Sequence, residues 1–72
     1  MNRQKERERI GRELHEMRVK KGVTQVELAQ RTDLYQNNLT RIERGAYSVG
    51  FDILQKIADA LDCDISVKER NQ

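Results

Sequence analysis

The 72-residue chain has no proline and four glycines, so only those glycines and a few polar clusters break its helices. It has one cysteine, Cys63, which excludes an internal disulfide and fits a reducing compartment. No apolar run approaches the ~20 residues that span a bilayer. The basic start, MNRQKERER, lacks the apolar stretch of a signal peptide. A soluble, cytoplasmic protein is expected. There is no Gly-rich phosphate loop and no metal-ligand spacing, and one histidine permits no Ser/His/Asp arrangement worth assembling. Neither an enzyme nor a cofactor is indicated. His15 has no second ligand candidate nearby, whereas a metal site needs three or four. Asp59, Asp62 and Asp64 lack the glycine and distal glutamate of a calcium loop and read as a solvated acidic end. Cys63 reads as a small residue closing the last helix.

Charged and hydrophobic residues each make up 36% of the chain, and the mixed signs do not force disorder. The net charge of +2 is unevenly spread. Residues 1–24 carry eight basic and four acidic side chains, residues 25–45 three of each, and residues 46–72 three basic and five acidic. The positive end can face phosphates while the acidic end faces away, although a solvated charged helix has the same appearance. The whole chain reads as one small domain, with a core over about 6–62, a tail over 63–72 and no room for a separate ligand-sensing unit.

Periodicity predicts an all-α fold of four short helices with a short C-terminal tail or strand. The first helix runs from about Lys5 to Lys20, with Ile10, Leu14 and Met17 on one face, cations at its end and Gly22 as its left-handed stop. The second starts at Thr24, where Thr24-Gln25-Val26-Glu27 forms a capping box, and ends near Thr32. At about eight residues it needs packing to persist. A tight turn at Asp33-Leu34 leads to a third helix, about Gln36 to Arg44, with Leu39 and Ile42 inward and Gly45 ending it. The fourth spans about Phe51 to Leu61, with Phe51, Leu54, Ile57, Ala58 and Leu61 as its apolar stripe. Ile65-Ser66-Val67-Lys68 alternates apolar and polar, as a short strand or a frayed tail does. A strand there would pair with another copy of the chain.

Thr24 to Gly45 carries the most information. Two short helices meet across a tight turn, and Ala29 supplies the small residue that a steep crossing needs. Leu39 and Ile42 pin the second of the pair to the core and leave its opposite face free. That face offers Gln36, Asn37, Thr40, Arg41 and Arg44. Glutamine and asparagine suit the N6/N7 edge of adenine, and arginine suits the O6/N7 edge of guanine.

The string GRELHEMRVKKGVTQVELAQRTDLYQNNLTRIERG resembles the helix-turn-helix proteins related to Cro and the phage repressors. The resemblance covers about residues 10–61, and its most specific pieces are Arg18 ahead of KKGVTQVELA, and TRIERG at 40–45. It implies double-stranded DNA as partner, read in the major groove at an operator-like site. By position, Gln36, Asn37 and Arg41 match side chains that reach base edges, with Asn38 and Thr40 alongside. Gln25 matches a residue that grips a phosphate and braces the recognition helix. Arg44 matches one close to the backbone phosphates. Arg18 and Glu43 match a pair that often forms a partly buried ion pair between the first and third helices.

Three departures stand out. Asp33 replaces the usual turn glycine, and aspartate tolerates the left-handed conformation. Tyr35 replaces the usual serine or threonine cap, and either lies along the DNA backbone or packs on the surface. Ala46-Tyr47-Ser48-Val49-Gly50 carries fewer positive charges than the usual loop, hence fewer phosphate contacts, although the Tyr47 hydroxyl can donate to a phosphate. The expected function is that of a small homodimeric transcriptional regulator of the repressor kind, dimerising through the fourth helix and the Ile65–Val67 tail. Two alternatives stay open: an antitoxin that binds a toxin and represses its own operon, and a protein-interaction module without DNA binding.

Overall fold

The computed structural model describes residues 3–67 and 69. Four helices follow one another: α1 (Arg3–Lys20), α2 (Gln25–Thr32), α3 (Gln36–Glu43) and α4 (Phe51–Ala60). Each ends at a residue that turns the backbone left-handed. These are Gly22 at φ 70°, Asp33 at 57°, Gly45 at 74° and Asp62 at 53°. At each of these ends the following amide bonds back to a carbonyl five residues earlier: Val23 to Arg18, Leu34 to Ala29, Ala46 to Arg41 and Cys63 to Ala58, at 2.9–3.1 Å. This is the Schellman closure, which satisfies carbonyls that a helix end would otherwise leave unpaired. Aspartate thus does at two corners what glycine does at the other two.

The start of α2 is fixed as strongly as its end. The Glu27 amide donates to Thr24 Oγ1 at 3.1 Å, and the Thr24 amide donates to Glu27 Oε1 at 3.3 Å. The Thr24 amide is also the largest influence holding the Glu27 carboxyl below its ordinary range. By contrast, α3 starts at Tyr35 and α4 at Gly50 without a side-chain cap.

The core gathers Leu14 of α1, Val23, Leu28 and Ala29 of α2, Leu39 and Ile42 of α3, and Ile57 and Leu61 from α4 and its end. Leu28, Leu39, Ile57 and Leu61 are fully buried. So is Thr32, whose hydroxyl donates back to the Leu28 carbonyl at 2.7 Å and needs no outside partner. α1 and α3 pack through their backbones at Gly11. A Cβ there would stand 2.4 Å from the Ile42 carbonyl oxygen and 2.7 Å from that of Glu43. A glycine inside a helix ordinarily costs stability, and here it sets how closely the two helices approach.

One expectation changes. Phe51, placed by periodicity on the apolar stripe of α4, is 63% exposed. It is the first residue of α4 and precedes the part that meets the core; Ile53 and Leu54 cover that edge instead. Of the two forms expected for the tail, residues 63–67 take the one without helix or strand. Lys68, the last residue of the alternating segment, lies outside the described residues. No helix among the described residues is long and apolar enough to cross a membrane.

Candidate nucleic-acid interface

The back of α3 is held by a buried polar cluster. Glu43 accepts from Arg18 Nε at 2.8 Å through Oε2 and from Arg18 Nη2 at 3.1 Å through Oε1. That Oε1 also meets His15 Nδ1 at 2.8 Å and Gln25 Nε2 at 3.3 Å. Arg18 gives its remaining fork to the Val23 carbonyl at 2.9 Å. Both Arg18 and Glu43 are buried, and the two-pronged geometry matches guanidinium to carboxylate. Burial alone pushes the Glu43 carboxyl up. The bonds from Arg18, His15 and Gln25, with the charge of Arg18, outweigh it and hold the group below its ordinary range. With its proton on Nδ1, His15 donates to Glu43, and the 3.1 Å approach of Arg18 Nη2 to the same nitrogen is then proximity rather than a bond.

Gln25 extends this cluster to the middle of α3. Its amide nitrogen reaches Glu43, and its amide oxygen accepts from the Thr40 hydroxyl at 3.1 Å. Thr40 also lies 3.0 Å from the Gln36 carbonyl. The chain Arg18–Glu43–Gln25–Thr40 therefore ties α1, the start of α2 and α3 into one unit. An open cleft above it is lined by Arg12, His15, Gln25, Thr40, Glu43 and Arg44, and with Glu43 neutralised by Arg18 its rim is positive.

The front of α3 is different. Gln36, Asn37, Arg41 and Arg44 are exposed and share no ion pair with any described residue. Thr40 is half-buried, and its hydroxyl donates inward. Asn38 is half-buried on the flank, where it lines a shallow hollow with Leu34, Tyr47 and Val49. Tyr35 is 81% exposed beside the start of the helix, so of its two expected places the packed one is not taken. The Arg41 guanidinium lies 4.8 Å from the centre of the Tyr47 ring.

A recognition-sized helix is thus braced from behind and polar and acid-free in front. The helix-turn-helix family model matches residues 14–68. The chain belongs to the Cro- and phage-repressor-like helix-turn-helix family. No curated protein sequence matches the chain. The family is one of DNA-binding transcription regulators, and membership implies DNA binding for this domain.

Within the family pattern, the departures have visible solutions. Asp33 takes the left-handed turn at φ 57°, and the ensuing Leu34 amide closes α2. The uncapped start of α3 keeps its first bonds to the Tyr35 carbonyl, from Asn38 and Leu39 at 3.0 and 3.1 Å. What sequence reasoning missed is His15. It stands 28 residues from Glu43, and no local pattern announces that contact. Its position three residues before Arg18, one turn along α1 and on the same side, was the available signal. Among the described residues no cluster of three potential metal ligands occurs. Burial raises the Cys63 thiol above its ordinary range, against reactivity as a thiolate.

Proposed function

We propose that the chain is a homodimeric, sequence-specific repressor that inserts α3 into the major groove. Gln36, Asn37 and Arg41 read base edges. Thr40 adds its methyl to that face, where a thymine methyl suits it, while its hydroxyl braces Gln25. Gln25, Asn38, Arg44 and Tyr47 face the backbone, where cations and amides orient the domain without reading sequence. The Arg18–Glu43 pair is structural and keeps the presenting helix in place.

One observation carries this reading: the exposed face of α3 is rich in amide and guanidinium groups and free of carboxylates, while its buried face is locked to α1 and α2. Such a division leaves only the outward side chains to order on docking. A single module buries little surface on DNA, so two copies reading half-sites about 34 Å apart fit the affinity a regulator needs. Phe51, Ile65 and Val67, at 63%, 42% and 100% exposure, supply an apolar surface on α4 and the tail for that pairing. The same exposed tail favours one second reading, an antitoxin whose tail engages a toxin.

The test is selection of bound fragments from a random DNA pool by the wild type and by Arg41→Ala, with sedimentation of the free protein alongside. The expected result is a two-fold symmetric site, a dimer, and loss of preference by the variant at one position per half-site. Enrichment of nothing at low salt would overturn DNA reading. A monomer that binds an asymmetric site would overturn the dimer, and a small protein co-purifying on the tail would favour the antitoxin.

A further inference from the structure

We propose that Tyr47 determines specificity at one base position, acting through Arg41 as a positioning residue. This rests on the reading of Arg41 as a base contact. An exposed arginine samples many rotamers, and bidentate recognition of guanine needs the guanidinium in one plane. Here a stacking surface is already in place. The Arg41 guanidinium carbon lies over the Tyr47 ring at 4.8 Å, within the roughly 6 Å over which a ring face attracts a cation. Among the described residues no ion pair competes for Arg41.

The backbone explains why these two side chains meet. The closure of α3 bonds the Ala46 amide to the carbonyl of Arg41 itself, at 2.9 Å. The chain is thereby folded back onto Arg41, and Tyr47 is the next residue. Gly45 makes this reversal possible and hard to replace. Its φ is 74°, and a Cβ there would stand 2.6 Å from the Glu8 Cα. The ring is itself partly covered, at 40% exposure, beside Asn38, Val49 and Ile53. It is therefore a platform anchored on the domain rather than a free side chain. The loop around it is poor in positive charge, so the platform tunes a base contact where the loop offers few phosphate contacts.

Two measurements test this. The first is NMR of the free protein: the Arg41 δ protons should show an upfield ring-current shift that persists in Tyr47→Phe and disappears in Tyr47→Leu, which keeps bulk without an aromatic face. Absence of that shift in the wild type would overturn the proposal whatever the variants do. The second is binding to the selected site and to single-base replacements of it. In the wild type, replacing the base opposite Arg41 should weaken binding about fivefold or more. Tyr47→Phe should retain that preference. Tyr47→Leu should reduce it about two- to fivefold at that position alone, and should add nothing in an Arg41→Ala background. If Tyr47→Leu weakens binding evenly across all sequences, Tyr47 acts on a phosphate alone and the proposal falls while DNA reading stands. The same holds if Tyr47→Leu keeps the full preference. If the wild type selects no sequence, both fall together.

Discussion

The two halves of this domain close their accounts differently. From α1 to the end of α3, polar groups are matched inside the chain: the capping box, the Arg18–Glu43 pair, and the amide bridge from Gln25 to Thr40. No buried side-chain polar atom lacks a partner among the described residues. From Gly50 onward the apolar groups are left incomplete. Phe51 stands outward at the start of α4, and Ile65 and Val67 follow in a segment without helix or strand. A surface that reads another molecule must be held rigidly, whereas one that joins another molecule keeps apolar area uncovered. On the reading proposed above, the first half supports recognition and the second is the surface for association.

Substitutions on the two sides should expose the contrast most sharply. Glu43→Ala leaves Arg18 buried with its main partner gone and should cost about 3–5 kcal/mol, a large share of the stability of so small a domain. Phe51→Ser should change stability by only about 0.5 kcal/mol or less. Urea unfolding followed by circular dichroism measures both, and comparable losses would break the division.

Acid provides a second, smaller probe. The carboxyl of Glu43 is held below its ordinary range in the folded state. It therefore contributes stability above the unfolded value, about 4.3, and that contribution is lost as pH falls through the folded value. Unfolding midpoints should decline below about pH 4.3 in the wild type. The decline should be shallower in Glu43→Gln, which has no proton to take up at that position. An identical acid profile in the variant would assign the sensitivity to other carboxylates.

The smallest effect is one that both halves should share. Asp33 and Asp62 hold left-handed turns at φ 57° and 53°, where glycine meets no steric penalty. Asp33→Gly and Asp62→Gly should each raise stability by about 1 kcal/mol or less. Thermal unfolding of the single and double variants checks this. A gain at only one corner would show that the other aspartate makes a compensating contact.

Much of this architecture could be read in advance, because helix stops and starts are local. Thr24 and Glu27 announce α2, Gly22 and Gly45 announce two ends, and Leu14, Leu39, Ile42 and Ile57 announce the core. The resemblance singled out Arg18 and Glu43, which lie 25 positions apart and meet at 2.8 Å. What escaped depended on where elements stop relative to the core. Periodicity put Phe51 on a buried stripe, but the stripe meets the core only from Ile53 onward. Likewise Thr40 has the spacing of an outward residue, yet the Gln25 amide next to it turns its hydroxyl inward. The contact of His15 with Glu43 was signalled only by its place one turn before Arg18, and the stacking of Tyr47 on Arg41 arises from loop closure, which residue spacing does not encode.

The bridge from Glu43 through Gln25 to Thr40 also has a thermodynamic meaning. Immobilising a rotamer-rich side chain at an interface costs about 0.5–1.5 kcal/mol of conformational entropy. Gln25 and Thr40 have already given up that freedom on folding, because each is bonded on the protein side. A duplex that docks against α3 has only the outward glutamine, asparagine and arginine side chains left to order. The domain therefore meets its partner with part of the entropic cost of association already incurred.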